Sequence, residues 1–153
     1  MLSDKIQAAF NTQVGQEFSN SIAYIAIANY FKSENLNGLA KMFYKQAAEE
    51  HTHAMKFTEF LLDTGCDVKI PAIAAPQNSF ASAEAAAQLA LDAEIRTTNQ
   101  INDLLTLALA EKDYAAFTPG LTAHRIVNAV PMICEAPLGI RTTLELPHII
   151  ATF

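Results

Sequence analysis

Three carboxylates of this chain, Glu17, Glu50 and Glu94, fall in register with the large apolar residues around them. Glu17 sits in the series Ile6, Phe10, Gln13, Glu17, Asn20, Tyr24, Ile27 and Phe31. Glu50 sits in the series Leu39, Phe43, Gln46, Glu50, His53, Phe57 and Phe60. Glu94 sits in the series Ala87, Leu91, Glu94, Thr98, Ile101, Leu105 and Ala108. Alternating steps of three and four residues place each series on one face of a helix. His53 lies three residues after Glu50 and shares its face, and Tyr24 follows Glu17 by two turns on the same face. Glu49, four residues before His53, lies slightly to the side. His51 is turned by about 100° from Glu50 and reads as a surface residue.

A lone carboxylate on a buried face costs several kcal/mol unless it takes up a proton or meets a cation. No Lys or Arg lies on these three faces to neutralise the charge. A pair of divalent metal ions would do so. Carboxylate oxygens with one imidazole, arranged as Glu from single helices and Glu-x-x-His from another, are the donor set of a di-iron site inside a helical bundle. Each residue alone has a plainer reading. Glu-x-x-His is common on solvated helices, an isolated Glu is often a boundary residue, and Tyr24 alone would be a core aromatic with its hydroxyl satisfied. The convergence of three matched faces favours metal.

The elements that must carry these faces are legible. Ser3 is an N-cap for a first helix running to about Lys32. SENLNG makes a short turn into a second helix from about Asn37 to Thr64, which Gly65 ends as a C′ residue. Residues 66–81 carry two prolines and no period, which predicts a long crossover rather than a hairpin. Ser82 is an N-cap for a third helix ending near Glu111–Asp113. Beyond Thr118 the pattern changes. Pro119, Pro131, Pro137 and Pro147 fall there, and the only charges are Arg125, Glu135, Arg141 and Glu145. HRIVNAV has room for about two turns before Pro131 stops it, and IRTTLEL reads more like a strand.

Bulk properties fit an all-α domain. The chain has 153 residues, enough for one sizeable core, and is 51% hydrophobic with no Trp. A net charge of −6 argues against nucleic acid as a partner. No apolar run is long enough to cross a bilayer, and MLSDKIQAAFNTQ has no signal-peptide h-region, so a cytoplasmic protein is expected. Cys66 and Cys134 follow no metal or redox spacing and read as free thiols. His124 and His148 are isolated, with no role assigned.

The stretches MLSDKIQAAFNTQVGQEFSNSIAYIAIANYF, GLAKMFYKQAAEEHTHAMKFTEFLLDTG, VKIPAI and LDAEIRTTNQINDLLTLALAEKDY together resemble the non-haem bacterial ferritins, over about residues 1–117 without an obvious gap. The resemblance implies a ferritin-like four-helix bundle with a long crossover between the second and third helices. It implies a ferroxidase centre that oxidises Fe(II) with dioxygen or peroxide, and a homo-oligomeric shell of 24 subunits that stores the ferric mineral. Carried over, Glu17, Glu50 and His53 would hold one iron, and Glu50 would bridge to a second held by Glu94. Glu49 would belong to a nearby third iron site. Tyr24 would hydrogen-bond beside the centre and supply an electron.

The resemblance stops near Ala116–Thr118. The family's fourth helix carries an EQ-x-EE motif and gives the second iron a Gln or Glu. Here the corresponding stretch is FTPGLTAHRIVNAVPMICEAP, with Val127 and Val130, which cannot ligate iron. The expected organisation is therefore helices one to three in residues 1–117 and an atypical segment, 118–153, in place of the fourth. Such a segment would impair the second iron site and the shell. A non-catalytic subunit that binds iron or co-assembles with complete subunits is the alternative. So abrupt an end to an uninterrupted match is what a shifted reading frame produces.

Overall fold

The computed structural model describes residues 2–113 and 116, and within them the chain forms three long α-helices. They are α1 (Asp4–Ser33), α2 (Asn37–Asp63) and α3 (Ala83–Ala110). No strand occurs among the described residues, so the all-α expectation holds. The short helix expected in HRIVNAV, the strand-like IRTTLEL, Val127, Val130, Cys134, His124 and His148 lie outside the described residues.

The helix ends have local causes. Ser3 Oγ accepts from the backbone N–H of Ile6 at 3.2 Å, and Ser82 Oγ accepts from Ala85 N–H at 3.1 Å. Each satisfies an amide that the first helical turn leaves without a partner. Gly65 takes φ +73°, left-handed geometry that favours glycine after the last turn of α2. The turn Glu34–Leu36 is too short for anything but an antiparallel α1–α2 pair.

Contacts between side chains fix the other directions. Ser3, before α1, meets Glu111, just after α3, and Tyr24 meets Glu94, so α3 runs antiparallel to α1. The connector between α2 and α3 must therefore travel the length of the bundle, about 40 Å at 1.5 Å per helical residue. It does so without regular secondary structure. Its first part is tied to α1. Asn11 Nδ2 donates to Asp67 O at 3.0 Å, Gln7 Nε2 donates to the same carbonyl at 3.2 Å, and Asn11 Oδ1 accepts from Lys69 N–H. Pro71 then lies so close to Gly15 that a Cβ there would come within 2.2 Å of its Cγ.

The core divides into two apolar layers. One holds Ile6, Phe10, Val14, Phe57, Leu61, Ile101 and Leu104. The other holds Tyr24, Ile27, Phe31, Ala40, Phe43, Ala47, Ala86 and Ala90. Phe10 meets Phe57 edge-on at 5.7 Å in the first layer, and Phe31 stacks on Phe43 at 5.4 Å in the second. Between the layers lies a polar band containing Glu17, Asn20, Glu50 and Thr97, all buried.

All eight residues of the α1 series are buried, as expected. The α2 and α3 series are each rotated from expectation. α2 buries Ala40, Phe43, Ala47, Glu50, Ala54, Phe57 and Leu61, and leaves Leu39 40% exposed. α3 buries Ala86, Ala90, Ala93, Thr97, Ile101, Leu104 and Ala108, while Ala87 is exposed and Leu91 only half-buried. Each buries alanines in the layer that also holds Tyr24, Ile27 and Phe31 of α1. Small side chains let helix axes approach closely, and a series of large apolar side chains passes over these residues.

Candidate metal centre

The polar band brings together donors from two helices. Glu17 projects from α1, and Glu50 and His53 from α2. One ligand-type atom of each lies within 4.8 Å of the other two, a spacing a single metal ion can span. Glu17 is 1% exposed and Glu50 5% exposed, while His53 is half-buried. His53 Nδ1 lies 3.6 Å from Glu50 Oε1, the i, i+3 pairing read from the sequence. Close approach of α1 and α2 is helped by Ser21, whose Oγ donates to Ala47 O at 2.7 Å across the pair.

Glu17 shows what the cluster lacks. Gln13 Nε2, one turn earlier, donates to its Oε1 at 2.7 Å. Its Oε2 is buried and has no hydrogen-bond partner. Burial first, and then the neighbouring Glu50, push the Glu17 carboxyl up to about 9, against 4.5 for a free side chain. Burial also pushes Glu50 upward, but the neighbouring His53, with Glu17 and Asn20, outweighs it and leaves Glu50 below its ordinary value. Of this buried pair, Glu17 carries the proton and Glu50 the charge. A divalent cation could replace that proton and neutralise both carboxylates. The donor set fits the iron that the sequence led us to expect.

Glu94 and Tyr24 form a second group beside this cluster. The Tyr24 hydroxyl donates to Glu94 Oε1 across α1 and α3. Burial, and then the Glu94 charge, hold the Tyr24 hydroxyl well above its usual range, so it stays a donor at neutral pH. Glu94 is half-buried and raised mainly by burial, an effect that the Tyr24 hydrogen bond partly offsets. It does not join the cluster formed by Glu17, Glu50 and His53. Glu49 stands apart as well: it accepts from Gln46 Nε2 at 2.6 Å and pairs with Lys45 Nζ at 3.2 Å. His51 is exposed, with its ring edge-on to Phe18 at 5.4 Å.

Three residues near the centre had no role assigned from sequence: Gln13, Asn20 and Thr97. Gln13 and Asn20 were visible as amides in the α1 series, four before and three after Glu17. Polar groups inside an apolar face had a reason to be there, as the carboxylates did. Thr97 carries no such signal, because the α3 series of apolar residues passes through Thr98 instead.

Known proteins match both the sequence and the fold of the chain. Residues 7–118 match the ferritin-like domain of the ferritin family. The chain is 42% identical over 113 residues to ferritin BfrB of Mycolicibacterium smegmatis, an alignment covering 74% of this chain and 62% of that protein. It is 32% identical over 118 residues to a bacterial non-heme ferritin of Staphylococcus aureus, covering 77% and 71% of the two chains. The fold superposes on Chlorobium tepidum ferritin with a TM-score of 0.83 at 28% identity, over 87% of this chain and 82% of that one. The chain thus spans about three-fifths of the length of the BfrB relatives it matches, 62% in the first of them.

Proposed function

The chain belongs to the ferritin family, and from that membership and the geometry of the polar band we propose that it takes up Fe(II), oxidises it and stores the ferric product. Glu17, Glu50 and His53 are the first iron site. Glu50, ionised and facing both groups, links it to a second iron held by Glu94. Glu49, to the side, receives a further ion. Tyr24 keeps Glu94 oriented and stands beside the metals as a local donor. The observation that carries the reading is the free Oε2 of Glu17, a buried oxygen with no protein partner among three converging donors.

Anionic oxygen donors favour the higher charge of Fe(III) over Fe(II), so the site promotes loss of an electron. Two Fe(II) ions give one electron each, and dioxygen with two protons takes the pair to become hydrogen peroxide. With peroxide as oxidant, the same two electrons and two protons give water. Fe(III) leaves as hydrated oxide mineral. The setting would be the cytoplasm. The assembly would be a homo-oligomeric shell, of 24 subunits where the C-terminal segment permits it.

One observation favours a narrower reading. Among the described residues the three-donor cluster omits Glu94, whose carboxylate is engaged by Tyr24. A chain with one good site would bind iron, or co-assemble with complete subunits, without turning it over. Aerobic Fe(II) oxidation by the purified protein separates the two. The proposal expects a rate well above buffer that is lost in Glu50→Ala. A rate equal to buffer would leave only the non-catalytic subunit.

A further inference from the structure

Whether two metal ions can sit side by side here depends on how far apart α1 and α3 stand. Glu17 and the α2 donors lie on one side of the band, and Glu94 lies on α3. Among the described residues, three side-chain hydrogen bonds link α1 and its N-cap to α3 and its C-cap. Ser3 with Glu111 is exposed at the bundle end, and Tyr24 with Glu94 is part-buried. The third is fully buried: Asn20 Nδ2 donates to Thr97 Oγ1 at 2.9 Å. Asn20 is 1% exposed and Thr97 4% exposed. Gln16 Nε2, a turn earlier on α1, donates to Asn20 Oδ1 at 2.9 Å and fixes which face of the amide points at α3.

The position of this bond is informative. Asn20 follows Glu17 by three residues, and Thr97 follows Glu94 by three. Because α1 and α3 are antiparallel, the bond lies between the two carboxylates along the bundle axis, about 4.5 Å of helical rise from each. A buried amide and hydroxyl gain little over an apolar pair in net stability. They do supply a directional link of fixed length, where two methyl-bearing side chains would allow the helices to slide.

We infer that Asn20 and Thr97 are a positioning pair, their hydrogen bond setting the distance between the Glu17–Glu50–His53 cluster and Glu94 and so allowing a second metal ion beside the first. The inference rests on the metal-binding function proposed above. Thr97 is the cleaner place to test it, because the Asn20 amide also lies against Glu50. Thr97→Val keeps the side-chain shape and removes the hydroxyl, Thr97→Ala removes it with less bulk, and Thr97→Ser retains it.

The experiment is an anaerobic Co(II) titration of the full chain, followed by the ligand-field absorbance of the bound ion, with aerobic Fe(II) oxidation measured alongside. In Thr97→Val and Thr97→Ala, the first Co(II) should bind as in the parent protein. The second should bind about tenfold or more weakly, the usual scale for losing a residue that orients a ligand. Oxidation should slow at saturating Fe(II), and Thr97→Ser should restore both readouts. Equal weakening of both Co(II) ions, unchanged titrations, or failure of Thr97→Ser to restore them would overturn the positioning role. A parent protein that binds no Co(II) would instead overturn the metal-binding function, and the inference with it. If Thr97→Val does not fold, Thr97→Ala against Thr97→Ser decides the matter.

Discussion

A carboxyl group held up to about 9 by burial and by Glu50 gives the metal-free protein a definite pH response. The folded-state value of Glu17 lies above its unfolded value of 4.5. Its contribution to stability is therefore fully present below pH 4.5 and is lost as pH rises toward about 9. Glu50 works the other way, but its contribution is complete once pH exceeds the ordinary carboxylate range, so it does not mask the loss. Urea unfolding of metal-free protein should show stability falling between pH 6 and pH 9, by about 1 kcal/mol or more from this group. Glu17→Gln should flatten that fall and weaken first-site metal binding by about tenfold or more. A fall of the same size in Glu17→Gln would assign the pH response elsewhere. Tyr24 is expected to stay protonated through ordinary alkaline titration, because burial and Glu94 raise it. The phenolate absorbance of Tyr24→Phe should then match that of the parent up to about pH 11, by which ordinary tyrosines, with values of about 10, have largely ionised. At this scale the sequence was informative about charge and weaker about support. Carboxylates on a hydrocarbon face are conspicuous because their burial is expensive. Gln13, which aims Glu17, is an amide whose partner only the fold reveals.

Among the elements, the buried face of α1 follows the sequence periodicity along its whole length, whereas those of α2 and α3 are each offset from it by about one position. The difference is geometric. α1 packs on both other helices, so it buries a wide arc centred on its large side chains. Among the described residues, α2 and α3 each pack mainly on α1 and bury narrower arcs rich in alanine. Ala40, Ala47, Ala86 and Ala90 carry little hydrocarbon and give no large-residue period, yet they set how closely the axes approach. Helix ends were legible because Ser3, Ser82 and Gly65 each act through local chemistry. The connector's attachment was not legible, because Asn11 and Gly15 act across about sixty residues of sequence. Gly15→Ala tests that attachment. Its Cβ would meet Pro71 Cγ at 2.2 Å and Cδ at 2.8 Å, so the connector must lift from α1. The expected cost in urea unfolding is about 1–3 kcal/mol. A neutral result would mean that the connector does not clamp the bundle.

For the molecule as a whole, three helices explain the centre but leave α2 and α3 flanking an apolar cavity of about 510 Å³, lined by Phe31, Leu39, Met42, Phe43, Ala90 and Leu91 among others. Tyr24, Gln46 and Glu94 also line it, so the cavity reaches the Tyr24–Glu94 hydrogen bond. Residues 118–153 lack the fourth-helix pattern that would cover such a surface, which makes the assembled state sensitive to them. Sedimentation of the purified chain should give associated species rather than a lone monomer; a stable monodisperse monomer would contradict this. Reading the gene in its other two frames beyond codon 116 should reveal an EQ-x-EE helix if the break is a frameshift, and its absence from both would end that explanation. The division of labour across the chain reduces to one quantity, the number of Fe(II) ions each chain binds without oxygen. The Glu17–Glu50–His53 cluster predicts about one tight equivalent, with a further ion held more weakly beside Glu94. In Glu50→Ala the tight equivalent should be lost. A protein that binds no Fe(II), or that binds it equally well without Glu50, would show that these carboxylates are not a metal centre.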